Sequence, residues 1–321
     1  MTAYDLVAMG RVGVDIYPQQ HGVPLEAVQT FERFLGGSAA NVTVAAARHG
    51  RQAALISRVA GDPFGRYLRT ELARLRVDST LVRVVQDGPP TPVTFYEIFP
   101  PDSFPVWFYR YPIAPDLLIE PMSLPRQAIR EARVYWSTLT GLSQEPSRSA
   151  HMEAWTERGR APLTVLDLDY RQMFWENAEA AREQISAALE HVTIAVGNRA
   201  ECEIATGERD PVRAADALLE RGVELAVVTQ GSDGVFAATA DQRVIAAAFP
   251  TRVVNGLGAG DAFGGALVHG LLEGWDLRRT IHFANVAGAM VAGRLECSTA
   301  MPMTAEVERL LADVVVTDDL V

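Results

Sequence analysis

The residues with the clearest potential for chemistry lie between Thr251 and Gly274, where a glycine-rich loop leads into a helix. We expect this stretch to open with an apolar strand and the helix to be opened by Asp261. Glycines let the backbone approach a ligand closely, and the first amides of a helix have no partner within it. The partial positive charge of a helix N-terminus also favours phosphate. A carboxylate beside such an anion site indicates phosphoryl transfer, with Asp261 as the base.

Two other interpretations of this stretch stay open. An aspartate in a first helical turn and a glycine turn are ordinary structural features. A dinucleotide-binding loop is the other competitor, because the glycine spacing partly matches one. That fingerprint normally has a further glycine two residues on and an acidic residue about twenty residues later at a strand end. Here Asp261 intervenes and the chain continues into helix, so the phosphate site is favoured.

The absence of lysine narrows the ways in which this protein can bind phosphate, since all 29 basic residues are arginines. A phosphate-loop lysine, the strand lysine of protein kinases and a Schiff-base lysine are all excluded. Backbone amides, metal ions and arginines remain, which agrees with the glycine loop.

Composition limits the class of protein and its partners. The net charge of −11 argues against nucleic acid or an anionic membrane as a partner. An apolar content of 48% in 321 residues suits one large α/β domain with an elaboration, or two domains. No segment approaches about 18 consecutive apolar residues and no secretory pattern is present, so we predict a cytoplasmic protein. Cys202 and Cys297 lack metal-site spacing and predict neither a disulfide nor zinc.

Polar residues follow several predicted strands, at the edge where open α/β sheets bind ligands. Asp15 follows the first apolar run. Gly36-Gly37 leads into an alanine-rich helix that carries Asn41 in its first turn, and Asp169 and Arg171 follow a later strand. Each has a plain structural alternative: a turn cap, a glycine turn or an ion pair.

A second group of strand ends predicts a nucleotide site. Asn198-Arg199-Ala200-Glu201 opens a helix with Asn and Glu on one face, which suits Mg²⁺ held through water; a capping box is the alternative. Thr229 ends another strand, and Gly231 and Gly234 either line a nucleotide or only form a hairpin turn. Asn285 lies in a helix whose small apolar face suits packing on a flat ring.

Residues 91–111 interrupt the alternation of strands and helices. Two extended runs rich in aromatic residues, joined at 100–102, predict a hairpin that contains Phe108 and Arg110. An isolated hairpin is marginally stable. We therefore expect it to serve as a lid over a pocket or as a dimer surface.

Taken in order from residue 4 to residue 302, these motifs resemble those of the PfkB (ribokinase-like) carbohydrate kinases. Gly36-Gly37 with Asn41 resembles the family's N-terminal sugar-site signature. Gly258-Ala259-Gly260-Asp261 resembles its C-terminal signature, which implies an anion hole and a catalytic aspartate. The run from Asn198 to Glu201 is similar to the metal-organising motif, and Gly231 with Gly234 to the ATP-lining loop.

The resemblance implies a three-layer α/β fold with a central, mostly parallel sheet and a small β lid. On this basis residues 1–313 form one kinase domain, with a lid from about 14–35 and 91–111, and 314–321 form a C-terminal tail. It also implies ATP, Mg²⁺ and a homodimer through the lid, and leaves a monovalent cation open. The expected nucleotide and metal contacts are Asn198, Thr229, Gly231, Gly234, Gly258, Gly260 and Asn285, with Glu201 acting on the metal through water.

Asn255 and Gly256 stand where many family members have Asp and Thr, which puts in doubt the contacts of that Asp. Together with Arg11 and the segments 104–110 and 167–171, this departure resembles one branch of the family, which phosphorylates a primary hydroxyl of a sugar acid.

An acidic substrate in a protein of net charge −11 needs local arginines. The expected substrate contacts are Arg11, Asp15, Gly36, Gly37, Asn41, Phe108, Arg110 and Arg171. A kinase for another sugar or sugar acid, such as 2-keto-3-deoxygluconate, fructose or ribose, is the close alternative. A non-catalytic sugar sensor on the same fold is the other.

Overall fold

A mostly parallel central sheet forms the middle layer of this computed structural model, which describes residues 4–312. The strands of the molecule, numbered along the chain, are β1 (Leu6–Met9), β2 (Gly13–Pro18), β3 (Phe31–Gly36), β4 (Ala53–Ala60), β5 (Val77–Asp78), β6 (Val82–Val85), β7 (Val93–Tyr96), β8 (Val106–Tyr109), β9 (Val134–Thr138), β10 (Thr164–Asp167), β11 (Ile194–Asn198), β12 (Leu225–Thr229), β13 (Val235–Ala238) and β14 (Arg243–Ala246).

The central sheet has the strand order β14-β13-β12-β11-β10-β9-β1-β4-β5, with β6 also paired to β4. Strands from β12 to β4 pair in parallel, and β13 and β14 add an antiparallel edge. The strand order reverses at β1, which has β4 on one side and β9 on the other. Ligands of open α/β sheets bind beyond the carboxyl ends of the strands at such a point.

Helices cover both faces of this sheet. They are α1 (Ser38–Arg48), α2 (Pro63–Arg74), α3 (Arg126–Glu131), α4 (Ser147–Arg158), α5 (Ala178–Leu189), α6 (Arg199–Thr206), α7 (Pro211–Glu220), α8 (Ala259–Glu273), α9 (Leu277–Ala292) and α10 (Thr304–Ala312). One hydrophobic cluster joins the sheet to α1, α2, α8 and α9, and another joins it to α3, α4, α5, α6 and α7. The predicted three-layer α/β fold is therefore confirmed.

The predicted small β-sheet is also present and lies outside this βα pattern. We call it the lid sheet; its strand order is β3-β2-β7-β8. Its inner face buries Tyr17, Phe34 and Tyr96. Its outer face carries aromatic side chains, of which Trp107 is 53% and Tyr109 is 63% exposed.

One sequence-based prediction about secondary structure is wrong. The stretch that begins at Thr251 does not open with a strand; residues 251–258 form an irregular loop between β14 and α8. The amides of Val254 and Asn255 both donate to the Ala292 carbonyl at the end of α9, so they are not available to a sheet. The helix itself begins at Ala259, two residues before the predicted start.

No helix within residues 4–312 has the length and apolarity needed to cross a membrane. The predicted tail, residues 314–321, lies outside the described residues.

Candidate active site

The N-terminus of α8 lies at the carboxyl edge of the sheet and begins at a glycine that no other residue replaces easily. Gly258, the N-cap residue, has a φ of +80°, and a Cβ added there would lie 2.5 Å from the Cys297 Sγ. The first helical amide that bonds backward is that of Ala262, to the Gly258 carbonyl. The amides of Ala259, Gly260 and Asp261 therefore have no partner within the helix, as the predicted anion site requires.

The loop before this helix is held by Asn255, the residue that departs from the common family pattern. Asn255 is completely buried; its Nδ2 donates to the Leu295 carbonyl at 2.7 Å, and its Oδ1 accepts from the Leu257 amide at 3.1 Å. These two bonds fix the backbone that leads into Gly258. Asn255 therefore has a structural role in this loop.

Asp261 lies in the first turn of α8 and contacts α1. Asn41 donates from Nδ2 to the Asp261 Oδ2 at 2.8 Å. Burial raises the pKa of Asp261 to about 7; the Asn41 hydrogen bond and the charges of Arg11 and Arg171 act in the opposite direction, while Asp169 adds to the increase. A carboxyl group with a pKa near neutrality is suited to exchange a proton at physiological pH.

Two further acidic residues lie at the end of β10: Asp167 is its last residue and Asp169 follows it. Burial, followed by the charges of Asp169, Glu201 and Asp261, raises the pKa of Asp167 well above its usual value. Asp169 accepts a hydrogen bond from the Ser38 Oγ at 2.6 Å and another from the Arg171 Nε at 2.9 Å. The α8 aspartate therefore belongs to a larger acidic group, which Arg171 partly neutralises.

Asp15 of the lid sheet is buried on the inner face, with its carboxylate against Gly36. A Cβ added at Gly36 would lie 2.0 Å from the Asp15 carboxylate, so only glycine admits this aspartate. Burial raises the pKa of Asp15 to about 7, against the lowering effects of Arg11 and of a hydrogen bond with Tyr96. The Asp15 Oδ1 has no hydrogen-bond partner within residues 4–312.

Asn41 also has a side-chain oxygen without a hydrogen-bond partner. Its amide N–H donates to the Gly37 carbonyl at 2.8 Å, at the point where α1 begins. Its side-chain Nδ2 is used by Asp261, but its buried Oδ1 lacks a partner in the described part of the chain. Asp15 and Asn41 therefore present two buried oxygen acceptors that a hydroxylated ligand can satisfy.

The three arginines predicted to bind substrate have different surroundings. Arg11 follows β1, is 7% exposed, and its guanidinium lies 5.2 Å from the centre of the Phe108 ring. Arg110 forms a buried ion pair with Asp116 at 2.9 Å. Arg171 donates to Asp169 and keeps a side chain that is 39% exposed. Arg11 and Arg110 lie where the lid sheet meets the body of the protein, whereas Arg171 follows β10 of the central sheet.

Two of the predicted nucleotide residues, Asn198 and Thr229, end β11 and β12 and pair in the strand register. Asn198 and Glu201 form a full capping box, with bonds of 3.0 and 2.8 Å. The structural alternative is therefore realised, but it uses only the Oε2 of Glu201. Burial raises the pKa of Glu201 to about 7, and Arg171 opposes the increase.

The glycine loop after β12 is a hairpin turn, as one interpretation predicted, and its two glycines differ. A Cβ at Gly234 would lie 2.0 Å from the Ala246 carbonyl oxygen, so this glycine is required by the neighbouring chain. A Cβ at Gly231 would meet nothing within 4 Å, so the space beside it is open. Asn285 in α9 donates to the Ala247 carbonyl at 2.7 Å and holds the loop after β14.

Within residues 4–312, no three His, Cys, Asp or Glu side chains converge into a direct metal-binding group. A divalent cation would therefore be held by individual carboxylates acting through water. Glu201 is one such carboxylate, because one of its oxygens takes no part in the capping box.

Sequence reasoning did not identify several residues that complete the site. Ser38 and Phe174 carry no motif, and Phe174 meets Phe108 edge to face at 4.9 Å only because its loop lies under β8. Asp116 is the partner of Arg110. Cys297 contacts Gly258 from 39 residues further along the chain. Only Asp167 and Asp169 gave a recognisable signal, two acids at a strand end.

Comparison with known proteins gives one consistent result. The family model described as pfkB family carbohydrate kinase matches residues 3–304. The chain is 29% identical to 5-dehydro-2-deoxygluconokinase of Bacillus subtilis (strain 168), over 96% of both chains. It is 30% identical to the protein of the same name from Halalkalibacterium halodurans, over 96% of this chain and 94% of the relative.

Among solved structures, a protein from E. coli described as a ribokinase II, in complex with ATP and Mg²⁺, superposes with a TM-score of 0.88. The superposition covers 97% of this chain and 100% of the other, at 21% identity. At that identity the likeness concerns the fold.

Proposed function

The chain belongs to the pfkB family of carbohydrate kinases, and from that premise we propose that it transfers the γ-phosphoryl group of ATP to the primary hydroxyl of 5-dehydro-2-deoxy-D-gluconate. The products are ADP and the 6-phosphate, a step of inositol catabolism. The observation that carries the reaction type is Asp261, with a pKa raised to about 7, in the first turn of a helix whose first amides are unpaired. The substrate rests on the curated relatives, which share that name at 29% and 30% identity.

Asp261 is the proposed base. The oxygen of the primary hydroxyl attacks the γ-phosphorus as its proton passes to the Asp261 carboxylate, and the bond from phosphorus to the β-phosphate oxygen breaks in line. Asn41 holds one carboxylate oxygen and so fixes the direction of the other. A positioned base contributes typically about 10² to 10⁴ in rate.

The unpaired amides at Ala259, Gly260 and Asp261 are the proposed anion hole for the transferring group. Charge spreads over the equatorial oxygens of this group in the transition state, and fixed donors stabilise it without reorganisation. The αL conformation of Gly258 aims these amides outward. The chain has no lysine to supply a positive charge here, so the backbone carries a large share of this stabilisation.

We place ATP along the ends of β11 and β12, beside Asn198, Thr229, Gly231 and Gly234, with Asn285 on the far side. The open space at Gly231 suits a ribose or base lying against backbone. Bound Mg²⁺ would screen the charge of the phosphates, and Glu201 would hold it through water.

The sugar is proposed to lie between Asp15 and Asn41, whose unpartnered oxygens accept from its hydroxyls. The lid sheet then covers it, and exclusion of water limits wasteful hydrolysis of ATP. Gly36 and Gly37 bring the chain close enough for Asp15 to reach this space.

A homodimer through the outer face of the lid sheet is part of the proposal, with a second copy of this chain as the occupant. Phe31, Trp107 and Tyr109 expose 40%, 53% and 63% of their surface on this face. Phe95 bridges them, with ring centres 5.7 Å from Phe31 and 5.4 Å from Tyr109. A contiguous aromatic patch on a small sheet is typical of an interface.

A substrate panel tests the function. The purified protein is assayed for ADP formation with 5-dehydro-2-deoxygluconate, 2-keto-3-deoxygluconate, gluconate, fructose and ribose. The proposal expects the highest kcat/KM for the first. A higher value for a neutral sugar would contradict the sugar-acid assignment, and absence of ADP formation with every sugar would contradict the kinase activity itself.

A further inference from the structure

Within residues 4–312, three arginines are almost fully buried, and two of them have partners inside the protein for their charge. Arg158, 6% exposed, donates from Nε to the Thr164 Oγ1 and from both terminal nitrogens to backbone carbonyls, including those of Ile129 and Pro162. Its charge is therefore surrounded by acceptors. This is the arrangement expected of a purely structural buried arginine.

Arg110 is satisfied in a different way. Its Nη2 donates to the Asp116 Oδ2 at 2.9 Å, and its guanidinium lies 4.7 Å from the centre of the Phe174 ring. Arg110 ends the second strand of the lid hairpin, whereas Asp116 and Phe174 belong to the body of the protein. The ion pair thus fastens the lid sheet to the body, and its charge is already balanced.

Arg11 is the exception among the three. It is 7% exposed, its Nε has no hydrogen-bond partner, and its side chain takes part in no ion pair within residues 4–312. The contact that it does make is with the face of Phe108, at 5.2 Å. A guanidinium stacked on a ring keeps its edge of N–H donors free. Leaving such a charge buried without an acceptor is costly, which points to an anionic ligand.

We infer that Arg11 binds the carboxylate of the sugar acid, with Phe108 of the lid sheet holding the guanidinium in place. The inference rests on the proposed function. It names the residue that gives the enzyme its preference for an acidic sugar. Arg11 lies two residues after β1, at the point where the strand order reverses, and its carbonyl lies against Gly37 of the sugar-site loop.

Electrostatic effects agree with this location. The charge of Arg11 lowers the pKa of both Asp15 and Asp261, so its guanidinium lies within electrostatic range of the proposed sugar contact and of the proposed base. A carboxylate bound there would meet an arginine whose Nε has no acceptor of its own within residues 4–312.

Arg171, the remaining candidate, has an internal task. Its Nε donates to Asp169 at 2.9 Å, and its charge opposes the raised pKa of Glu201 and of Asp261. Its Nε is therefore already used by an acidic partner, whereas the Nε of Arg11 has no partner within residues 4–312. We assign Arg171 to balancing the acidic group.

The test compares two substrates that differ only in charge: 5-dehydro-2-deoxygluconate and its C1 carboxamide. The measured quantity is the ratio of kcat/KM for the acid to kcat/KM for the amide, in the wild type and in Arg11→Met, Arg110→Met and Arg171→Met. Loss of Arg11 also raises the pKa of Asp261, but this affects both substrates equally and cancels in the ratio.

We expect Arg11→Met to lower the ratio by about 10- to 100-fold, the usual value of a hydrogen bond between charged groups. Arg110→Met and Arg171→Met should lower kcat/KM for both substrates by similar factors and keep the ratio. In Arg11→Ala, added guanidinium ion should restore activity on the acid more than on the amide. Far-UV circular dichroism and thermal melting check that each variant folds, and Arg11→Lys, which keeps a charge, should give an intermediate ratio.

An unchanged ratio in folded Arg11→Met and Arg11→Lys would overturn the inference, as would a ratio that collapses only in Arg171→Met. A wild type that phosphorylates acid and amide equally would instead contradict the proposed sugar-acid substrate and, with it, this role of Arg11. The two failures are distinguished because the second is visible without any variant.

Discussion

Asn41 donates a hydrogen bond of 2.8 Å to the carboxylate of Asp261, across 220 positions of sequence. The bond joins the first turn of α1 to the first turn of α8, so the two glycine-led helix starts of the chain face each other. The proposed sugar contact and the proposed base are thus held in one fixed geometry.

The pH dependence of the reaction should report this bond. The Asn41 hydrogen bond lowers the pKa of Asp261, which burial has raised to about 7. Asn41→Leu should therefore move the acidic limb of the kcat/KM profile to higher pH, by about 1. Thr43→Val is the matched control, since it removes a buried hydrogen bond of the same helix, to the Ala39 carbonyl, without touching Asp261. If the acidic limb of the Asn41→Leu profile stays at the wild-type pH, the proposed effect of Asn41 on the pKa of Asp261 is contradicted.

The anion hole should depend on the conformation of Gly258. Gly258→Ala meets both a left-handed backbone and the Cys297 Sγ, so we expect kcat to fall by about 10² as the amides turn away. Gly274→Ala is the control at the other end of the same helix, because its φ of +68° is similar and nothing lies within 4 Å of the added Cβ. Both variants should lose about 1 kcal/mol of stability or more, measured by urea unfolding. Equal kcat values in the two would argue against the anion hole.

Mg²⁺ dependence should separate the two roles of Glu201. Glu201→Gln keeps a capping box, because glutamine also accepts from the N-cap amide, but it removes the negative charge. At pH 8 we expect the Mg²⁺ concentration for half-maximal activity to rise several-fold while the melting temperature changes little. Glu203→Gln, on the same helix with a side chain 43% exposed, should change neither. If the Glu201→Gln variant has the Mg²⁺ dependence of the wild type, Glu201 serves only to cap the helix and does not act on the metal.

The proposed dimer predicts a specific effect at the lid sheet. Trp107→Glu puts a charge on the aromatic face and should shift the sedimentation coefficient from that of a dimer towards that of a monomer. Met122→Glu replaces another exposed apolar residue, 87% exposed and outside the lid sheet, and should not. A wild type that sediments as a monomer at micromolar concentration would contradict the dimer.

The sequence was informative where chemistry and local structure coincide. Glycines or a capping pattern predicted three helix starts, and the structure has helices at all three places. Their first turns contain Asn41, Glu201 and Asp261. Individual strands and the lid hairpin followed from apolar runs and from the break in the βα alternation, whereas the arrangement of the strands in one central sheet was implied by the family resemblance. These features depend on a few neighbouring residues, so a local pattern is enough to predict them.

Features that depend on tertiary contacts were not predictable in the same way. The missing strand at Thr251 follows from the Ala292 carbonyl taking two amides. The Arg110 ion pair arises because the lid hairpin returns to the body beside Asp116. The burial of Arg158 among its own acceptors, including the carbonyl of Ile129, 29 residues away, likewise depends on the fold.

The most direct test of the account is the turnover of Asp261→Asn. Asparagine can still accept the Asn41 hydrogen bond, so the geometry is kept and only the base is lost. We expect kcat to fall by about 10² to 10⁴ or more, with the Kd values for ATP and for the sugar acid, measured by calorimetry, within a few-fold of wild type. A folded Asp261→Asn variant with near-normal kcat would contradict the assignment of Asp261 as the base.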